Sequence, residues 1–171
     1  DAHKPASIQV LDLDNYEWTV YNNEGIADKY GIRYEDILTL DVDPRDSKHV
    51  MAGSQSGLFE FYDGELVNYY NYENSPIYFV PGLEGHVNYQ IVSSVKYDNK
   101  GNLYIANGGN KNSPIIIFDS NKGWTTIDKF TTISNISNLK LIKVGSNDKI
   151  WTYSKYWSNP GVYSYDYATD K

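Results

Sequence analysis

Few residues in this sequence have side chains suited to catalysis or metal binding, and they are scattered. Its histidines, His3, His49 and His86, stand far apart along the chain, and isolated histidines at such spacings do not form a metal site. The chain has no cysteine, which excludes disulfides, thiolate metal ligands and a cysteine nucleophile. We therefore expect a protein that is not an enzyme, without a metal or a cofactor.

Three carboxylates close together, Asp41, Asp43 and Asp46, have the oxygen ligands that calcium prefers. Asp41 and Asp43 lie two residues apart in a predicted strand, whereas Asp46 follows Pro44, so we interpret the group as turn chemistry. Residues 53–57 place serines between two glycines. They lie in a predicted hairpin and lack the strand-to-helix turn of a nucleophile elbow.

Ligand binding has the better physical basis, because several predicted loops are rich in amide, hydroxyl and aromatic side chains. Amides both donate and accept hydrogen bonds, and aromatic rings offer flat faces with an apolar body. This combination suits a sugar ring, although each residue taken singly also fits an ordinary surface loop. The candidate ligand-binding residues are Gln55, His86, Asn88, Tyr89, Asn110, Lys111, Asn112, Tyr156 and Trp157.

The sequence repeats itself, which predicts how these loops are arranged. Residues 92–119 align without a gap with residues 139–166, a shift of about 47 residues that matches one four-stranded propeller blade. Further copies begin near Leu40 and, in part, near Gln9. We predict an all-β fold, a β-propeller fragment of about three to four four-stranded antiparallel blades. Loops joining strands two and three, and strand four to the next blade, then gather on one face.

The repeat also predicts blade boundaries. Residues 1–33 form a partial blade of outer strands with its connection, 34–77 a blade, 78–135 a blade with a long entry loop, and 136–171 a partial blade. All belong to one propeller, which we expect to be incomplete in this chain. The first-strand residues predicted to point into the cores between blades are Leu40, Val42, Val95, Tyr97, Ile142 and Val144. One helical turn is predicted at residues 26–30.

Composition limits the classes of partner. The net charge is −7, from 15 basic and 22 acidic residues, so the chain has no basic footprint for nucleic acid. No apolar run approaches the 18 residues of a membrane span. The absence of cysteine is compatible with a bacterial envelope protein.

The repeats resemble a known family. Residues 40–61 contain Leu-x-Val-Asp, Val-x-Ala-Gly and Gly-Leu-x-x-Phe, and residues 98–107 read Asp-x-x-Gly-Asn-Leu-Tyr-Ile-Ala-Asn. Both patterns resemble two-component regulator propeller repeats, which form periplasmic sensor domains of hybrid two-component systems in Bacteroidetes. The wording of residues 43–50 and 68–76 is similar to PorZ-type propeller proteins of the type IX secretion system. Residues 145–149 depart from the pattern.

This resemblance implies a non-catalytic recognition domain in the periplasm or at the cell surface of a Gram-negative bacterium. Its partner would be a glycan or an envelope protein, in secretion or in signal transduction. The alternatives are a periplasmic ligand-sensing domain of a hybrid sensor kinase, and a propeller hydrolase or lyase with catalytic residues outside this fragment. Other expected partners are the remaining blades of the same protein and a second copy of the chain, bound through uncovered blade edges.

Overall fold

The chain forms antiparallel sheets connected by loops and one short helix. The computed structural model describes residues 5–110, 114–119, 121–127, 139–145, 149–154, 160–166 and 169. The elements in chain order are β1 (Gln9–Leu11), β2 (Trp18–Val20), α1 (Ile26–Tyr30), β3 (Thr39–Val42), β4 (His49–Gly53), β5 (Leu58–Tyr62), β6 (Glu65–Tyr70), β7 (Val92–Tyr97), β8 (Leu103–Asn107), β9 (Ile115–Asp119), β10 (Gly123–Thr126), β11 (Leu139–Val144), β12 (Lys149–Ser154) and β13 (Gly161–Asp166).

Strands adjacent in the sequence are also neighbours in each sheet. The second sheet has the order β3-β4-β5-β6 and the third β7-β8-β9-β10, while β1-β2 and β11-β12-β13 form the first and fourth. Tight turns close the hairpins, as between β5 and β6, where Asp63 (φ 50) and Gly64 (φ 86) adopt left-handed conformations. The predicted all-β fold with four-stranded antiparallel blades is confirmed.

The strand register shows the same repeat as the sequence. In each of the last three sheets, one aromatic residue of the third strand lies opposite an apolar residue of the second strand. The pairs are Phe61 with Val50, Phe118 with Leu103, and Tyr165 with Ile150. Each pair lies on the face turned towards the preceding sheet, so the three aromatic residues are structurally equivalent.

Three apolar cores hold neighbouring sheets together. Between the first two sheets, the edge of Tyr34 meets Phe59 at a centroid distance of 5.0 Å, and Tyr69 stacks on Phe59 at 4.9 Å. Met51 joins the core between the second and third sheets, and Ile117 joins the core between the third and fourth. Burying one such side chain contributes about 1.5–3 kcal/mol, so the cores fix the stacking of the blades.

The prediction that first-strand residues point into the cores is confirmed for the third sheet. Val95 and Tyr97 are 3% and 7% exposed and lie in the core shared with the second sheet. Val144 packs against the core between the third and fourth sheets. The Ile142 side chain lies outside the described residues.

The same prediction is wrong for Leu40 and Val42 in β3, which are 49% and 38% exposed. They share a face with Ala52 and Val50 of β4, which point into the core shared with the first sheet. The first sheet has only β1 and β2 within the described residues. This narrow sheet covers the outer part of that face and leaves the part formed by β3 exposed.

Side chains join the innermost strands of the second and third sheets. Asp41 accepts hydrogen bonds from the Tyr97 backbone N–H at 2.7 Å and from Lys96 Nζ at 2.8 Å. The Thr39 hydroxyl accepts a longer bond from the Val95 N–H at 3.3 Å. Asp41 thus links two neighbouring blades through its carboxylate and helps to fix the angle between their inner strands.

Helix α1 is the predicted helical turn. Ile26 is buried in the core between the first two sheets, and the helix ends at Gly31, whose φ of 62° is a left-handed C-terminal conformation. Within the described residues, no helix has the length and apolar character needed to span a membrane.

Candidate ligand-binding site

Three loops meet at one end of the second sheet, where its strands begin and finish. They are the β2–β3 connection, the β4–β5 turn and the β6–β7 connection, and they emerge together because successive strands run in opposite directions. Backbone hydrogen bonds join the last two directly: Gln90 N–H donates to the Gln55 carbonyl at 2.9 Å, and Val92 N–H donates to the Ser54 carbonyl at 2.8 Å. Three of the predicted binding residues, Gln55, Asn88 and Tyr89, lie together at this end of the sheet.

The β4–β5 turn is rigidly held. Gly57 has φ 131, and a Cβ there would lie 2.6 Å from the Tyr70 carbonyl oxygen, so the turn requires glycine. Ser54 N–H bonds the Gly57 carbonyl at 2.9 Å. The buried Tyr69 hydroxyl donates to the Ser56 carbonyl, and burial raises the Tyr69 pKa above its ordinary value. Tyr69 therefore stays protonated and anchors the turn.

Asp36 and Gln55 link two of the three loops. Gln55 Nε2 donates to Asp36 Oδ2 at 2.8 Å. Asp36 is half-buried and has φ 53, a left-handed conformation that aspartate adopts more readily than most residues. The bond orients the Asp36 carboxylate over the β4–β5 turn.

Asn88 links all three loops. Its Oδ1 accepts a hydrogen bond from the Arg33 backbone N–H at 2.7 Å and lies 3.3 Å from the Ser56 hydroxyl. The same hydroxyl lies 2.9 Å from the Arg33 carbonyl. Because Oδ1 is engaged, the Asn88 amide is oriented with its Nδ2 group away from these partners.

A small cavity lies where the loops meet. Its volume of about 20 Å³ is close to the room that one water molecule needs. Asp36 Oδ1, Gln55 Oε1 and Asn88 Nδ2 form no hydrogen bond with any described residue. We call the residues that line the cavity the loop cluster: Arg33, Glu35, Asp36, Gln55, Ser56, Asn88 and Tyr89.

A second, wider depression continues from the loop cluster. It has a volume of about 420 Å³ and shares Arg33 and Glu35 with the small cavity. Tyr34 also lines it, and burial raises the pKa of Tyr34 to about 12, so its hydroxyl remains a donor at neutral pH. The remaining lining residues are Pro5, Asn23, Gly25, Ala27, Asp28 and Ile32.

His86 and Tyr89 form an exposed aromatic surface beside the small cavity. Their rings are perpendicular, with centroids 6.3 Å apart. Tyr89 is 39% exposed, and its backbone is fixed by bonds from its N–H to the His86 carbonyl and from Val80 N–H to its own carbonyl. Tyr89 thus presents a ring from an ordered loop.

The charges of the loop cluster are mixed. Arg33 is its cation and is exposed, whereas Glu35 and Asp36 are half-buried carboxylates. The cluster therefore combines hydrogen-bond donors and acceptors with one excess negative charge. It suits a hydroxyl-bearing ligand, since a hydroxyl both donates and accepts, better than a polyanion.

The other predicted binding residues divide into two groups. Asn110 is 2% exposed, and its Nδ2 donates to Asn107 Oδ1 at 3.0 Å. The same Asn107 oxygen accepts the Tyr78 N–H at 2.7 Å, so Asn110 supports a buried amide link and is not part of the surface. The predicted residues that lie outside the described residues are Lys111, Asn112, Tyr156 and Trp157.

The sequence prediction missed four residues that line the small cavity: Arg33, Glu35, Asp36 and Ser56. All but Ser56 lie in residues 21–38, which join the last strand of one sheet to the first strand of the next. Residues 78–90 belong to the same topological class and were predicted. The prediction that connections between blades gather on one face, applied also to residues 21–38, would have identified the missing residues in that segment.

A second polar group lies at the opposite end of the second sheet. Arg45 Nη2 donates to Asp43 Oδ2 at 2.7 Å, and His49 Nε2 lies 2.7 Å from Glu60 Oε1. The Arg45 hydrogen bond lowers the pKa of Asp43 to about 2. This group faces the third sheet, where the His49 and Tyr97 rings are 6.0 Å apart, so it is part of the packing.

Of the three acidic residues predicted to form turns, Asp43 and Asp46 do so, whereas Asp41 bonds to the third sheet. Asp43 Oδ1 accepts the Arg45 N–H at 2.9 Å, and Asp46 Oδ1 accepts the Lys48 N–H at 3.0 Å. In the part of the chain that the structure describes, no group of three or more histidine or carboxylate side chains is placed to hold a metal ion.

Comparison with known proteins gives structural matches without sequence matches. No family profile and no curated protein matches the sequence. The structure is similar to PorZ, a surface component of the type IX secretion system of Porphyromonas gingivalis, with a TM-score of 0.73 and 22% identity. The match covers 91% of this chain and 21% of the PorZ chain.

Two proteins from Bacteroides thetaiotaomicron are also similar in structure. An auxiliary nutrient binding protein matches with a TM-score of 0.54 and 16% identity, over 80% of this chain and 29% of its own. The extracellular domain of a putative hybrid two-component system matches with a TM-score of 0.57 and 11% identity. This match covers 96% of this chain and 22% of the other. The chain thus matches a fragment of larger propeller-containing proteins and spans less than a third of each.

Proposed function

We propose that this chain is a non-catalytic recognition domain of a bacterial envelope protein, and that its loop cluster binds a glycan. One observation carries the proposal: unused hydrogen-bond donors and acceptors surround a small cavity beside the exposed ring of Tyr89. A sugar ring stacks its C–H face on an aromatic ring while neighbouring amides and carboxylates bond its hydroxyls. Asp36, Gln55 and Asn88 offer such groups from three rigid loops.

The structural matches support the location in this proposal. PorZ is described as a bacterial surface component, and the two-component match is an extracellular domain. A match with a nutrient binding protein also favours small-ligand recognition over catalysis. We therefore propose that this chain acts in the periplasm or at the cell surface of a Gram-negative bacterium.

Two roles fit a recognition domain of this kind. Anchoring a surface glycan would serve a secretion component, and binding a soluble oligosaccharide would serve a sensor. We favour the first because the PorZ match has the higher TM-score. The sensor role is the second candidate and uses the same loop cluster.

Glycan binding is tested with an array of bacterial surface oligosaccharides, followed by calorimetric titration of the strongest binder. Tyr89→Ala should weaken binding by about 1–3 kcal/mol, as expected for an aromatic anchor. Tyr62→Ala is the matched control, because Tyr62 is 45% exposed at the other end of the second sheet. Equal losses in both variants, or binding that neither changes, would exclude the loop cluster.

The proposal that the domain is not catalytic has a test of its own. The bound oligosaccharide is incubated with the protein, and its chain length and reducing ends are then analysed. We expect recovery of the intact oligosaccharide. Shortened or unsaturated products that require the protein would show a hydrolase or lyase.

A further inference from the structure

Trp18 and Trp124 occupy the same place in two different sheets. Trp124 of β10 pairs with Phe118 of β9, and Trp18 of β2 pairs with Leu11 of β1. In both hairpins the tryptophan begins a Trp-Thr sequence on the later strand. Strands β1 and β2 therefore correspond to the two outer strands of a complete blade.

In the third sheet this tryptophan contacts the preceding blade. The Trp124 ring lies 5.2 Å from the ring of Tyr70 and 4.6 Å from that of Phe118. Tyr70 belongs to β6, the outermost strand of the second sheet. The tryptophan position is thus a contact between the outer strands of neighbouring blades.

Trp18 has the equivalent position and is exposed. It is 63% exposed, and Val20 on the same face is 57% exposed. Ile8 and Tyr21, which alternate to the opposite face, are buried in the core shared with the second sheet. The Trp18 face is therefore turned away from the second sheet, towards the place of a preceding blade.

Leu40 and Val42 extend this apolar surface towards the inner strands. Their counterparts in the third sheet, Val95 and Tyr97, are buried against the second sheet. β1 pairs only with β2 within the described residues, so its other edge offers backbone groups to a further strand. Apolar faces and a free strand edge lie on the same side of the molecule.

We propose that this surface is a blade interface that receives further strands of the same repeat. The occupant is an inner strand pair that bonds to the β1 edge and covers Leu40 and Val42, preceded by an outer strand that places an aromatic ring on Trp18. The structures that this chain resembles are longer and have room for such repeats. We call the surface the open flank, and its residues are Leu11, Trp18, Val20, Leu40 and Val42.

The chain itself contains a suitable occupant. Residues 58–107 run through an outer strand pair that ends in Tyr70 and then an inner strand pair. Joined ahead of Asp1, a copy of this segment would reach Ile8 through residues 1–7. That linker has the same length as residues 108–114, which connect the corresponding strands of the third sheet. The graft therefore supplies every strand that the proposal requires.

The chimera is this chain with the copy of residues 58–107 joined ahead of Asp1. Single-cysteine labelling of it tests the proposal, because the natural chain has no cysteine. The probe is V20C on the open flank, and the control is L13C in the β1–β2 turn, where Leu13 is 71% exposed. We expect maleimide labelling of V20C to slow at least about tenfold in the chimera, equal to about 1.4 kcal/mol of protection. Labelling of L13C should be unchanged. Equal V20C rates with and without the graft, in proteins that both melt cooperatively, would overturn the proposal.

Two measurements on the ungrafted chain test the proposal independently. W124S should lower Tm, whereas W18S should leave Tm unchanged because Trp18 has no blade to pack against. A comparable loss of Tm in W18S would overturn the proposal. V20C labelling that slows with increasing protein concentration, together with a dimer in sedimentation velocity, would also overturn it by assigning the flank to a second copy.

Discussion

Gln55 Nε2 donates to Asp36 Oδ2 at 2.8 Å, although the two residues belong to different connections of the fold. Gln55 lies in a turn within the second sheet, and Asp36 lies in the segment that leads into that sheet. Their bond orients an acidic group towards the cavity of the loop cluster. A hydrogen bond between two loops thus determines the geometry of the candidate site.

Breaking this bond should loosen the site before it affects the fold. Gln55→Ala leaves the half-buried Asp36 carboxylate without that donor, which costs about 1–2 kcal/mol. We expect faster amide hydrogen exchange in residues 33–38 and unchanged exchange in β8. Gln9→Ala, at an exposed position in β1, is the control. Unchanged exchange in residues 33–38 would show that the bond does not order the loop.

Truncating the equivalent aromatic residues should destabilise the fold. Phe61→Ala, Phe118→Ala and Tyr165→Ala should each lower the free energy of unfolding by about 2–5 kcal/mol in urea titrations. Phe118 should give the smallest loss, because it is half-buried whereas Phe61 and Tyr165 are buried. A loss below about 1 kcal/mol at all three sites would contradict the shared register.

Asp43 should make stability depend on acid pH. The Arg45 hydrogen bond lowers its folded pKa from 3.8 to about 2. A lowered pKa contributes stability above the unfolded value, and that contribution is lost as pH falls from about 4 through about 2. Urea titrations at pH 7 should show Asp43→Asn to be less stable by up to about 2 kcal/mol. The difference in the free energy of unfolding should shrink towards zero at about pH 2. A difference that stays constant with pH would show that the lowered pKa of Asp43 is not its cause.

Gly101 should be less tolerant of alanine than Gly82. Both have left-handed φ values, of 82° and 87°, so each Ala variant should lose about 1–2 kcal/mol of stability from backbone strain. A Cβ at Gly101 would also lie 1.8 Å from Arg45 Cζ, whereas Gly82 faces open space. We expect Gly101→Ala to have a Tm several degrees below that of Gly82→Ala, as about 1 kcal/mol more would cause. Adding Arg45→Ala to both variants should remove the difference.

Much of the architecture was predictable because a repeated sequence imposes a repeated register. The helical turn at residues 26–30 matches the prediction, and the aligned segments 92–119 and 139–166 each run from the start of one strand to the end of another. Alternating apolar residues and tight glycine turns act over a few residues, so they can be identified without knowing the fold. Gln55, Asn88 and Tyr89 come together at one end of the sheet, as the predicted convergence of the propeller loops implies.

Other features required the tertiary structure. Leu40 and Val95 hold the same repeat position, yet one is 49% exposed and the other 3%, because burial depends on the neighbouring sheet and not on the residue. Asn110 looked like a surface amide and is enclosed by its bond to Asn107. Arg33 and Asp36 joined the site only because distant loops converge there.

The sequence by itself determined the strands, the repeat and the face on which the loops gather. The strands follow from local patterns of period two, and the other two follow from the repeat and the propeller topology that it predicts. Only the tertiary structure decided which side chains are exposed and which hydrogen bonds link separate loops. Asp36 and Gln55 are 19 positions apart in the sequence, and no local pattern predicts their 2.8 Å bond. Such contacts form only after the blades have packed, because packing fixes the distance between loops of different strands.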